Sequence, residues 1–79
     1  MEKNANYISV ELIENHLAVS FITSSGINRI YYIPVKCQNG CFYVDRRARS
    51  YSDLMRSCNI NDIRRAIEDF NSLGHNVVL

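Results

Sequence analysis

Cys37, Cys41, Cys58 and His75 are the residues of this 79-residue chain whose types could together hold a metal ion. Thiolates and a neutral imidazole are donors that zinc favours, and four of them make a closed tetrahedral site. The spacing speaks against it. Cys37 and Cys41 are separated by three residues where zinc sites built on a hairpin use two, and they flank Asn39-Gly40, a turn signal that sends the two side chains to opposite faces of a hairpin. A disulfide, which needs Cβ atoms about 4 Å apart, is disfavoured for the same reason. The cysteines read as small buried hydrophobes or free thiols, and no metal or other cofactor is expected. His16 stands beside a hairpin turn and His75 in the C-terminal tail. Neither has a nucleophile, a paired carboxylate or a glycine-rich phosphate loop at a recognised spacing, so the chain reads as non-enzymatic.

Two sets of residues can recognise rather than react. Arg46-Arg47-Ala48-Arg49 puts three arginines in four residues, enough to grip phosphates or carboxylates bidentately, although a solubilising loop is the plainer reading of so short a run. Tyr7, Tyr32 and Tyr43, with Ile30, supply apolar area together with hydroxyls, the combination favoured at protein interfaces. What these residues can do depends on the elements that carry them.

Residues 7–44 read as an antiparallel meander with strands at about 7–13, 16–23, 27–37 and 41–44. If Glu14-Asn15 is a two-residue turn, Ile8, Val10 and Leu12 fall opposite Phe21, Val19 and Leu17 on one face, because side chains alternate with period two. Ser24-Ser25-Gly26 fits a three-residue loop with glycine in the left-handed position, which sets Phe21, Val19 and Leu17 against Arg29, Tyr31 and Ile33. Asn39-Gly40, the strongest hairpin signal present, places Val35 and Cys37 opposite Val44 and Phe42. Three independently chosen turns thus keep one apolar face, and a slip of one residue at any of them would send half of it to water. Pro34 tests the scheme, since proline cannot donate to a ladder. Its missing N–H points toward strand four near Asp45, so that strand is expected to end at Val44 and the chain to leave the sheet at Asp45-Arg46.

The period then changes. Ser52-Asp53-Leu54-Met55 suggests a short helix over about 52–57 with Ser52 as its cap. Asn59 with Asp62 approximates a capping box, and Ile60, Ile63, Ile67, Phe70 and Leu73, with Ala66 beside them, recur at helical spacing. A helix over about 60–73 follows, closed by Gly74, with Arg64, Arg65, Glu68 and Asp69 on a solvated face at i,i+4 spacing. Val77-Val78-Leu79 is apolar enough to add a short strand at 76–79 or to dock under the helix. The expected class is α+β, a four-stranded meander with this helix packed on one face.

One domain is all that 79 residues allow, and a chain this small buries only about 60% of its unfolded surface, which suits one helical layer on one sheet face. The other face would carry Tyr7, Ile13, Ala18, Ile22, Ile30, Tyr32, Cys41 and Tyr43. That is too apolar for an idle surface: the tail or a second copy covers it, or it recognises a partner. The formal net charge of +1 gives no global attraction to nucleic acid or anionic membrane. No segment approaches the roughly 20 apolar residues of a membrane span, and Met1-Glu2-Lys3-Asn4 lacks the apolar stretch of a signal peptide, so a cytoplasmic location is expected.

The stretches Leu17-Ala18-Val19-Ser20-Phe21, Arg29-Ile30-Tyr31-Tyr32-Ile33, Gly40-Cys41-Phe42-Tyr43-Val44 and Ser50-Tyr51-Ser52-Asp53-Leu54-Met55 resemble the central strands and following helix of an SH2 domain, over about residues 17–55. The resemblance implies phosphopeptide binding. The chain departs from the family pattern where that function lies: Val10 stands at the phosphotyrosine-binding arginine and Ile30 at the third-strand histidine. Arg29 and the Arg46 to Arg49 run are then the substitute cations. The reading that absorbs most of these features is a small protein-binding module, an inhibitor or adaptor of the sort found among phage or mobile-element accessory proteins. It would act through Tyr7, Ile30, Tyr32, Tyr43, Arg46, Arg47 and Arg49. A nucleic-acid-binding domain using tyrosine stacking and Arg46, Arg47 and Arg49 is the alternative, and an exposed sheet edge or face makes a homodimer compatible with either.

Overall fold

A computed structural model describes the backbone of residues 5–79 and the side chains from Ile8 onward. Its order is β1 (Ala5–Ile13), β2 (His16–Thr23), β3 (Asn28–Gln38), β4 (Cys41–Val44), α1 (Arg49–Ser57), α2 (Ile60–Asn71) and β5 (Val77–Val78). The strands form one five-stranded sheet in sequence order. The first four are antiparallel neighbours, and β5 joins β4 in parallel, so the sheet is a strand larger than a four-stranded meander.

The second and third turns have the geometry that their residues favour, while the first holds a glutamate at positive φ. Glu14 (φ 54°) sits in the first, Gly26 (φ 86°) ends the three-residue second, and Asn39 (φ 54°) with Gly40 (φ 79°) forms the third, a left-handed pair as a type I′ turn requires. The registers follow: Val10 pairs with Val19, Val19 with Tyr31, and Val35 with Val44. Pro34 lies opposite His16, and its carbonyl accepts from the Asp45 amide at 2.9 Å, just past the last residue of β4. The imide nitrogen therefore faces the place where the ladder stops, which is why an inner strand tolerates it.

Both helices cover the same face. Leu17, Val19, Phe21, Ile33 and Val44 pack with Leu54 and Cys58 of the α1 region, Ile63 and Ile67 of α2, and Val77. α1 lies over β3, where the Tyr31 hydroxyl is 3.3 Å from Ser57 Oγ, and α2 lies over β1. Phe21 and Tyr31 stack with centroids 5.9 Å apart, which extends the core toward the open end of the sheet.

The helix boundaries differ from the sequence expectation. α1 starts at Arg49, three residues before Ser52, and its N-cap is Ala48, which supplies no side-chain bond. The reason lies upstream: Asp45 Oδ1 accepts from the Arg47 amide at 2.9 Å, and this tight turn delivers the chain into a helix at once. α2 begins at Ile60 as expected, with Asn59 accepting from the Asn61 amide, but it stops at Asn71. Leu73 is therefore not part of the buried stripe and is 77% exposed, and Gly74 takes its positive φ (107°) two residues beyond the Ser72 cap. Arg64–Glu68 and Arg65–Asp69 make no ion pair; among the described residues the pair formed is Arg56–Asp53 at 2.8 Å.

Candidate functional site

The face of the sheet turned away from the helices has no layer over it among the described residues. Ile13 (40%), Ile30 (49%), Tyr32 (49%), Tyr43 (41%) and Val78 (41%) are exposed there together. Alternation alone puts them on that side, since each is one residue out of phase with a core residue of its strand. Ala18, between Glu11 and Tyr32 in the ladder, is nevertheless buried. A methyl group on a central strand flanked by larger side chains needs no second layer to be shielded.

Tyr32 and Tyr43 are not adjacent. Tyr43 pairs with Lys36, and Lys36 is two same-face steps along β3 from Tyr32, so the rings stand roughly 14 Å apart on strand geometry. Pro34 and Lys36 occupy the interval. Here a groove of about 470 Å³ opens at the end of β4, lined by Pro34, Val35, Lys36, Tyr43, Val44, Asp45 and Arg47. Lys36, Arg47 and Asp45 give it both signs of charge on a mostly aliphatic and aromatic wall.

The arginine run divides among three places. Arg46 Nη2 donates to the Leu79 main-chain oxygen at 2.7 Å, tying the loop to the C-terminal strand. Arg47 lines the groove. Arg49 opens α1, where its charge sits at the positive end of the helix dipole with no acid in the first turn. Of the residues expected to form a partner surface, Ile30, Tyr32, Tyr43 and Arg47 share one side of the sheet and its rim, whereas Arg46 is engaged internally and Arg49 belongs to the helix. The Tyr7 side chain lies outside the described residues.

The cysteines are dispersed. Cys58 is fully buried in the core, Cys41 is half-buried, and Cys37 is exposed although its register places it on the helix-bearing face. Cys37 lies at the tip of the β3–β4 hairpin, beyond the reach of the helices. Arg29, at the other end of β3, is exposed for the same reason, and Val10 packs against the core from β1. Among the described residues no group of histidine, cysteine and carboxylate side chains is arranged to hold a metal.

Two devices have no counterpart in the sequence reading. The Asn71 side chain bonds the backbone of Val77 twice, Oδ1 accepting from its amide at 2.9 Å and Nδ2 donating to its carbonyl at 3.0 Å. Phe70 and His75 stack with centroids 3.9 Å apart and planes 3° from parallel. An asparagine at the end of an apolar helix six residues before a Val-Val pair is the available signal for the first; local spacing holds none for the second. No helix of the described residues is long and apolar enough to cross a membrane. Comparison with known proteins yields no match to a family model, a curated protein or a solved structure.

Proposed function

We propose that the chain is a small protein-binding module, an inhibitor or adaptor, that holds a partner protein on the uncovered face of its sheet with Arg47 at the rim. The observation that carries this reading is the uneven covering of the apolar side chains. Leu17, Val19, Ile33, Leu54 and Ile63 have no exposed surface, while Ile30, Tyr32 and Tyr43 on the opposite face are 41–49% exposed. Exposed apolar side chains on one face, interrupted by Lys36 between Tyr32 and Tyr43, are a pattern that protein surfaces keep for contact. Tyrosine suits it, losing little rotamer entropy on binding and keeping a hydroxyl for the rim. The groove beside Tyr43 supplies the recess that an anchoring side chain needs.

Affinity capture from an extract of the source organism, followed by mass spectrometry with and without nuclease, tests the reading. Tyr32→Ala and Tyr43→Ala should each cut recovery of the captured protein at least tenfold, and the melting temperature should move by no more than about 4 °C, as for surface substitutions. A fall in stability like that of a core truncation would place the tyrosines in the core and sink the proposal. Capture abolished by nuclease, with oligonucleotide binding that weakens steeply from low to physiological salt, would reassign the surface to nucleic acid.

A further inference from the structure

The two edges of the sheet are treated differently. At the β5 edge the outward N–H and C=O of Val77 are both taken by the Asn71 side chain, and Arg46 holds Leu79. The β1 edge has no such cover. In a hairpin closed by a two-residue turn the pair beside the turn is hydrogen-bonded, and bonded and non-bonded pairs alternate from there. Ile13:His16, Glu11:Ala18 and Ser9:Ser20 are then the bonded pairs, which leaves Leu12, Val10 and Ile8 with N–H and C=O directed outward. β1 is the terminal strand of the sheet, and among the described residues its one strand partner is β2, on the other side. The stretch Ile8-Ser9-Val10-Glu11-Leu12 contains no proline, lysine or glycine, and the shift in register lies before Ile8. Glu11 is the one charged side chain on this stretch, so the edge is only lightly blunted.

We propose that this edge is the contact between two copies of the chain, β1 pairing antiparallel with β1 of a second copy to make one continuous sheet. The occupant follows from the residues. With the twofold axis at Val10, Ile8 meets Leu12 of the second copy, so the helix-bearing side gains only apolar pairs, from residues that are part-buried in one copy. On the other side Ser9 meets Glu11 of the second copy, a hydroxyl against a carboxylate. Moving the register by one bonded pair toward the C-terminus sets Glu11 against Glu11, a like-charge pair that is unfavourable. The charge pattern therefore favours the register centred on Val10 over that one. The helical layer agrees with it independently. α2 lies over β1, so the two α2 helices would run antiparallel across the axis. Each exposes Arg64 and Arg65 one turn ahead of Glu68 and Asp69, with no ion pair inside the helix. Antiparallel helices bring the basic half of one beside the acidic half of the other, the self-complementarity that a twofold contact needs. The surface carrying Tyr32 and Tyr43 stays open in this dimer, so the inference does not rest on the proposed partner surface.

Sedimentation equilibrium of the full chain over a wide concentration range, with amide hydrogen exchange at the same concentrations, tests it. The expected result is reversible dimerisation, with protection of the Ile8, Val10 and Leu12 amides rising as dimer forms. Val10→Pro removes a donor that the monomer does not use and should abolish the dimer; circular dichroism verifies that it folds. Ser9→Glu should weaken the dimer roughly 2- to 30-fold and Ser9→Lys should strengthen it, by the size of cross-strand charge effects at two symmetric positions. A monomer at every concentration overturns the proposal. So does a dimer with unchanged protection at these three amides, or one in which Ser9→Glu and Ser9→Lys act alike.

Discussion

Asn71 does the work of a neighbouring strand with one side chain. A parallel pair as short as β5 gains few ladder bonds, and its outer edge would be left to water. The primary amide supplies a donor and an acceptor in the geometry of a peptide group, so both outward backbone groups of Val77 are bonded while its side chain is buried to 5% exposure. Asn71→Ala should therefore cost about 1–3 kcal/mol, the range for leaving buried backbone groups without partners. Denaturant melts measure this, and faster amide exchange at Val77 and Val78 than elsewhere in the sheet would locate the loss in β5. A uniform rise in exchange would mean that Asn71 holds the whole core and not the strand alone. Nothing in the helical repeat, which runs on to Leu73 in the sequence, singles out this asparagine. Its role depends on a partner that a turn and a strand must first bring back, so local pattern could not show it.

At the scale of elements, the meander was legible because hairpin neighbours are close in sequence and one face is buried, which makes every register test the others. Pro34 became informative for this reason: its tolerance depends on where β4 stops. The helix starts were less legible. Asn59 announces α2 through its own side-chain bond, whereas α1 starts without one at Ala48, whose φ of −66° and ψ of 142° already suit an N-cap. Ala48→Asp should thus stabilise the chain by about 1 kcal/mol, by bonding a free amide of the first turn and by opposing the helix dipole beside Arg49. A melting temperature higher by roughly 4–8 °C is the expected reading for a domain of this size. No rise, or a fall, would show that the Asp45 turn already satisfies that end. Ser52 looked like a cap because serine before an aspartate is a common start signal, but the Asp45 turn begins the helix earlier and so leaves Ser52 in its interior.

The whole molecule measures 39 × 26 × 19 Å, and its long axis is close to the roughly 36 Å of the eleven-residue β3. The helices are shorter, about 18 Å for the twelve residues of α2. Strand ends therefore overhang the helical layer, and Arg29 and Cys37 stay exposed at in-phase positions. The core is confined to the middle, where Leu54 and Ile63 are fully buried between helices and sheet. Leu54→Ala or Ile63→Ala should each cost 2–5 kcal/mol, the range for a large aliphatic truncated in a close-packed core. Chemical denaturation followed by both helix and tyrosine signals should show one coincident transition, because the two helices and the sheet share these contacts; separate transitions would divide the chain into independent units. The sequence by itself determined the three turns, the strand registers, the assignment of side chains to two faces and the apolar stripe of α2 as far as Phe70, all of which depend on residues a few positions apart. The tertiary structure alone decided that both helices take the same face, that the tail returns parallel to β4, that the three arginines go to three places, and that Ile30, Tyr32 and Tyr43 are left uncovered. Those outcomes rest on which surfaces meet across long stretches of chain, and periodicity within an element says which face is apolar but not what will cover it.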